Sequence, residues 1–239
     1  MSQSDWFRTD PSLAWGFYSH RQHLYETAEP HDGFKALHEL LTDNKKKDYF
    51  IMTSNVDSQF QKSKFSEDKI FETHGTLSYQ QCVSNCKNSE VWKDKNVEQG
   101  KPLEIDMTTF RVIQKDKLPR CSSCNGLARP NVSFFTDTNL SFNDTRQLQQ
   151  KEKIMDWLNT IKTSKNDFLT IIEIGCGTSI HSLRYETEIL LYHTPSLDNR
   201  VGLIRINPVT YEVEHNNINQ VGIPLGAKEG LLNIIPNKK

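Results

Sequence analysis

At 239 residues, 36% hydrophobic and 25% charged, the chain is long enough to bury a core of its own, as one large domain or two unequal ones. A formal net charge of -1 supplies no general field for a polyanion, which argues against nucleic-acid binding through bulk charge. No run approaches the ~18 consecutive apolar residues of a membrane helix, and Met1-Ser2-Gln3-Ser4-Asp5 has neither the basic nor the apolar part of a secretory signal, so the expectation is an intracellular, cytoplasmic protein without a membrane partner.

In chain order, residues 6 to 42 carry helix-like spacing, with Trp15, Tyr18 and Leu24 on one face and then Phe34, Leu37, Leu40 and Leu41. Two helices broken near Pro30 are predicted. Lys45-Lys46-Lys47 reads as a solvated loop. Tyr49 to Thr53 is a short apolar run ending in Ser54-Asn55-Val56-Asp57, the pattern of a buried parallel strand with a polar C-terminal end. Ile70 to Thr73, ending at His74-Gly75, is a second such strand. Residues 168 to 174, ending at Gly175-Cys176-Gly177, are a third, and Val201 to Ile206, ending at Asn207-Pro208, are a fourth. Helical segments at about 144–162 and 179–192 alternate with these strands, which predicts an α/β fold with a doubly wound parallel sheet and a ligand crevice outside the strands' carboxyl ends. Between residues 82 and 124 the pattern stops, and a polar, lysine-rich segment framed by cysteines reads as an inserted small module.

Five cysteines in a reducing compartment bind metal more often than they form disulfides. Cys82 and Cys86 form a CxxxC pair, Cys121 and Cys124 a CxxC pair, and 34 residues separate the pairs. Two such knuckles suit a closed, tetrahedral, structural zinc site of four thiolates, because no coordination position is left for water. Cys176, in the apolar run before Gly177, reads as a small buried hydrophobe. His74, at a strand end beside Asn55 and Asp57, is a candidate base, although a lone histidine is more often structural. Asn55 and Asp57 point the same way if the strand conformation persists and can then converge on an amide-bearing ligand; a turn with Asx hydrogen bonds is the alternative. Gly175-Cys176-Gly177-Thr178-Ser179 is either an anion or ribose cradle or a tight turn with Thr178 or Ser179 as helix cap.

Together these residues resemble the sirtuin family. Ser54-Asn55-Val56-Asp57 is similar to its Gln-Asn-(Ile/Val)-Asp motif, and Glu72-Thr73-His74-Gly75 to its histidine-glycine motif, with the four cysteines following at the family's distance. Gly126 to Phe135 resembles its Gly-x-x-Arg-Pro-(Asp/Asn)-Val segment, Ile174 to Thr178 its cofactor turn, Ile206-Asn207 its ribose-binding Ile-Asn, and Pro224-Leu225-Gly226-Ala227 its last adenine-side turn. The order and spacing of six motifs agree over residues 10 to 232.

The resemblance implies a Rossmann-like NAD-binding domain (43–80 and 132–239) with an inserted zinc ribbon (81–131) and a helical part of the small domain (1–42), binding NAD and an acyl-lysine peptide in the cleft between them. It implies an NAD-dependent deacetylase or deacylase, a transferase in which the acyl group passes from lysine to ADP-ribose as nicotinamide leaves. His74 would be the base, Asn55 and Asp57 the nicotinamide side, Gly175, Gly177 and Thr178 the phosphate and ribose contacts, Asn207 the adenosine ribose contact and Gly226 the adenine-side turn. Val132, Ser133 and Phe134 would pair with the substrate backbone. The alternatives are a catalytically silent, zinc-stabilised peptide-binding module and a protein ADP-ribosyltransferase.

The sequence also departs from the family. It carries no counterpart of the family's opening strand, Gly-Ala-Gly-x-Ser loop and Gly-Ile-Pro-Asp-Phe-Arg segment, and its first glycines, Gly16 and Gly33, lie in no such loop. Each charge-assisted hydrogen bond of such a loop is worth ~1.5 to 3 kcal/mol, so the expectation is an NAD affinity lowered by orders of magnitude, beside an exposed strand edge. Ser54 stands where the family has Gln, and Thr136 where it has Gly.

Overall fold

The computed structural model describes residues 4–43, 48–87, 90–94, 102–138, 141–178, 182–194, 197, 200–213 and 219–235. Lys45, Lys46, Lys47 and Ser179, on which a loop and a helix cap are predicted, lie outside the described residues, as do the first three positions of the 179–192 helix. Two compact units are interleaved in sequence: 1–29, 53–61 and 71–151 make the first, and 30–52, 62–70 and 152–239 the second.

The first unit opens with α1 (Trp6–Thr9) and α2 (Pro11–Thr27). Asp10 accepts the Leu13 N–H and Pro11 fills the first turn, so a sequence signal for a helix start fixes the α1–α2 corner. Phe7, Trp15, Tyr18 and Phe134 form an aromatic cluster, with Phe7 stacked on Phe134 at 5.9 Å and crossing Trp15 edge-on at 5.7 Å. The buried Trp15 Nε1 donates to the Ala128 carbonyl at 2.9 Å. Leu24, expected on the same face, is half exposed, because at ~3.6 residues per turn the nine residues from Trp15 carry it to the opposite side of the helix. The sheet of this unit is β3 (Gly75–Cys82) between β4 (Trp92–Lys93) and β7 (Ala128–Val132), both antiparallel to it. The hairpin β5 (Ile105–Asp106) with β6 (Arg111–Val112) packs on α2. Gly16 permits that packing: a Cβ there would lie 2.0 Å from the Phe110 carbonyl oxygen.

In the second unit, β8 (Leu169–Ile174), β9 (Val201–Ile206) and β10 (Gln220–Ile223) form a parallel sheet in the order β10-β9-β8. Leu158, Ile161, Leu169, Leu197 and Val201 make its core with the C-terminal part of α5 (Thr145–Thr163), and α6 (Ser182–Tyr192) packs on β8 and β9. On α3 (Asp32–Thr42) lies α7 (Ala227–Ile234), where Lys228 pairs with Asp32 at 2.9 Å and Gly33 sits close beneath Leu231. β1 (Ile51–Thr53) pairs with β2 (Ile70–Glu72) as a two-stranded sheet, and α4 (Gln59–Lys62) follows β1.

The fold is therefore α/β with a parallel sheet, as expected. Among the described residues the four predicted strands divide between the β1-β2 pair and the parallel sheet, and β8 is an edge strand. Because Leu169 donates to Arg200 and Gly175 to Ile206, the intervening Thr170, Ile172 and Ile174 turn their amides to the free edge.

Candidate functional site

The four knuckle cysteines converge in the first unit. Their Sγ atoms all lie within 4.8 Å of one another, with Cys82 to Cys124 at 3.7 Å and Cys86 to Cys121 at 3.8 Å. A tetrahedron of ~2.3 Å zinc–sulfur bonds has edges of ~3.8 Å, so the cluster fits a zinc ion held by four thiolates. None of the cysteines is in a disulfide. Burial raises the Cys121 thiol, but the backbone amides of Cys124 and Ser123 and the thiols of Cys86 and Cys124 outweigh it and hold the group down at about 7, so it readily supplies a thiolate. Burial pushes Cys82 the other way, up to about 12, a cost that a bound cation offsets. The Val83 amide donates to the Leu127 carbonyl, which ties the two knuckles together, and the Cys121 amide to the Gly126 carbonyl, which closes the second.

His74 occupies the turn between β2 and β3. Its neighbour Thr73 donates to the Thr53 carbonyl at 2.8 Å, its own carbonyl accepts the Ser133 N–H at 3.0 Å, and Gly75 turns at φ +77 against Asn131, where a Cβ would lie 2.0 Å from the carbonyl oxygen. Only glycine fits there, on both counts. Burial holds His74 below the ordinary 6.5 of histidine, so the ring is neutral at neutral pH.

Beneath this turn runs a buried polar network that joins motif residues Glu72, Arg129 and Asn131 to partners no motif announces. Glu72 pairs with Arg146 and accepts from Gln61, and its amide donates to Gln150 at 3.1 Å. Gln147 donates to Asn131, Asn131 to Gln81 and to the Asn143 carbonyl. Arg129 forms a two-pronged pair with Asp137 at 2.9 and 2.8 Å, both side chains nearly fully buried. Hydrogen-bonding residue types spaced through a sequence look like surface until the chain folds them together.

Asn55 and Asp57 do not share a strand face. β1 ends at Thr53, and the following residues turn: the Asn55 N–H donates to Thr53 Oγ1, Asp57 Oδ1 accepts the Gln59 N–H, and Ser58 adopts φ +55. The geometric ground for their convergence is therefore replaced by the Asx turn. The turn runs beside His74 all the same, because Val56 accepts the Leu77 amide and Ser58 meets Thr76 and Ser78.

Val132 and Phe134 are buried and Ser133 is exposed. The Ser133 N–H is taken by His74 and the Phe134 N–H by Asp137 Oδ2 at 2.9 Å. With Ser133 facing β3, Val132 turns its amide and carbonyl away from β3, the groups that an added strand would meet first.

In the second unit Gly175 (φ +67), Gly177 and Thr178 are exposed at the end of β8, and a Cβ built on Gly175, Gly177 or Gly226 meets nothing within 4 Å. Backbone is thus open to a ligand at all three glycines. Cys176 is only partly buried; burial and then the Glu173 carboxylate push its thiol up to about 11, against the pull of Arg184 and Arg205. Asn207 is buried at the end of β9.

No helix among the described residues is long and apolar enough to cross a membrane. A model described as the Sir2 family matches residues 1–167. The sequence is 31% identical over 164 residues to the "NAD-dependent protein deacylase sirtuin-5B, mitochondrial" of Xenopus laevis, covering 66% of this chain and 52% of that protein. It is 33% identical over 129 residues to an "NAD-dependent protein deacylase" of Thermococcus kodakarensis, covering 54% and 44%. A "Probable bifunctional ADP-ribose hydrolase/ADP-ribosyltransferase" of Fusarium oxysporum f. sp. cubense is 26% identical over 160 residues, covering 66% and 26%. The chain spans about half the length of the first of these relatives. With the family model running through the zinc knuckles, the His74 turn and the Arg129-Pro130-Asn131-Val132 strand, the chain belongs to the Sir2 family.

Proposed function

We propose that this chain is an NAD-dependent protein-lysine deacylase, with acylated protein or peptide as substrate and zinc in a structural role. One observation carries the reading: a half-buried histidine, neutral at neutral pH, is held by backbone bonds on both sides of a strand-end turn, beside the Asn55–Asp57 turn. A proton acceptor needs that state and that fixity. When bound, NAD would supply a ribose carbon at which an acyl-lysine amide oxygen can form a bond as the bond to nicotinamide breaks and nicotinamide departs. His74 takes the proton of a ribose hydroxyl at an unprotonated ring nitrogen. Asn55 and Asp57 serve the nicotinamide side, and the open backbone at Gly175, Gly177 and Gly226, with Thr178 and Asn207, serves the phosphates, riboses and adenine. Val132, Ser133 and Phe134 receive the peptide, with Val132 offering the free backbone groups. The zinc cluster takes no part in the chemistry, since four thiolates leave no open position. Five cysteines without a disulfide support an intracellular, cytoplasmic setting.

The test is nicotinamide release from NAD by the zinc-loaded chain with an acetyl-lysine peptide. Release that needs the peptide and disappears in His74→Ala, with melting unchanged, is the expected result; release independent of His74 sinks the assignment. A second reading, transfer of ADP-ribose to a protein side chain, is favoured by the name of the Fusarium relative. It predicts that labelled NAD marks protein instead of yielding acylated ADP-ribose.

A further inference from the structure

The turn after β8 is held by two side chains, of which the motifs announce one. Asn207 Nδ2 donates to the Cys176 carbonyl at 3.1 Å, while Asn207 Oδ1 accepts the amides of Val209 at 2.9 Å and Thr210 at 2.8 Å. From α6, Arg184 Nη2 donates to the same Cys176 carbonyl at 2.7 Å and to the Thr210 carbonyl at 2.8 Å, with Thr210 Oγ1 at 3.3 Å. Its Nε lies 3.4 Å from Glu173 Oε1. Arg205 takes the same carboxylate through Nε at 2.8 Å and Nη2 at 3.2 Å, and gives Nη1 to the Glu212 carbonyl at 2.6 Å. Two arginines thus share one carboxylate, leaving one positive charge in excess beside the turn.

We propose that Arg184 is a positioning residue for the turn 175–178, and that it aims the Gly177 N–H outward as a donor to an anionic oxygen of the dinucleotide; this rests on the proposed function. Close packing at the two glycines does not set the turn, because a Cβ built on Gly175 or Gly177 would touch nothing within 4 Å. The clamp on the Cys176 carbonyl does. In a planar trans peptide the C=O and the following N–H point in opposite directions, so drawing the Cys176 carbonyl inward with Arg184 and Asn207 turns the Gly177 N–H toward the open side. The neighbouring excess charge favours an anion there. Asn207 acts through the same carbonyl: both lone pairs of its Oδ1 are committed, so its principal part is to join the turn to the 207–210 loop.

Arg184→Lys tests this, since it keeps the charge and loses the planar fork. In the zinc-loaded full chain without NAD, exchange of the bonded amides of Gly175, Val209 and Thr210 is expected to speed up about tenfold, and NAD affinity by calorimetry to fall by about tenfold, with zinc content and melting retained. Asn207→Asp, which keeps the acceptor and loses the donor to Cys176, is the second probe and should move exchange in the same direction. Unchanged exchange in whichever variant folds overturns the clamp. Faster exchange with NAD bound as tightly as by the wild type overturns the donor role of Gly177. Faster exchange in a chain whose wild type binds no NAD at millimolar concentration supports the clamp and sinks the proposed function.

Discussion

At His74, burial decides both chemistry and pH response. Because the folded protein holds this histidine below its ordinary 6.5, the unfolded chain takes up a proton first as pH falls, and the fold loses stability as pH drops through 6.5. For the reaction the sign runs the same way: the neutral base persists into mildly acid solution. The acid limb of kcat/KM against pH is therefore expected to bend below 6.5; a bend at or above that value means that His74 is not the titrating base. The histidine was legible in the sequence from its place at a strand end. Arg184 was not, since it stands in an ordinary helix and its partners, Glu173, Cys176 and Thr210, lie on three other segments. Asn55 and Asp57 were legible as a pair, and the apolar run was read to end at Thr53, but whether the strand conformation persisted beyond it or gave way to an Asx turn was left open by the spacing alone.

Among the elements, β9 follows its apolar run from Val201 to Ile206 residue for residue, and the break between α2 and α3 falls where Pro30 placed it. β10 went unseen. It is four residues long with a glycine inside, and Gly222 is required because a Cβ would lie 2.2 Å from the Tyr211 carbonyl oxygen. β3 and β7 were hidden differently: Gln80, Gln81, Arg129 and Asn131 along them are all buried and polar, so the apolar pattern that announces a strand is missing. Gly16 gives a direct test at this scale. An alanine raises helix propensity by about 1 kcal/mol at an ordinary helical glycine, but here the methyl meets a backbone carbonyl that cannot swing aside. Gly16→Ala is expected to destabilise the first unit by about 1 to 3 kcal/mol in urea unfolding. A stabilised variant would show that the α2 contact with the β5-β6 hairpin is looser than drawn.

For the whole molecule, the strongest sequence signal was the metal site, because knuckle spacing is local and needs no knowledge of the fold. Its stabilising effect falls on one unit. Strict chelation is expected to lower the melting of the first unit, where the four thiolates sit, and to leave the transition of the second, whose core of Leu158, Ile161, Leu169, Leu197 and Val201 holds no metal ligand. A single transition lost as one step, or none altered, speaks against that division. Elemental analysis of the loaded protein should give one zinc per chain.

The interleaving of the two units along the chain also governs the order of events during synthesis. α3 leaves the ribosome long before the helix that covers it, α7 with Lys228 and Leu231. The apolar face of α3 must therefore wait until residues 227–234 have been made, whereas α1, α2, β3 and β7 can assemble once Lys151 has appeared. The nascent chain thus passes through an interval in which all the segments of one unit have been made and those of the other have not.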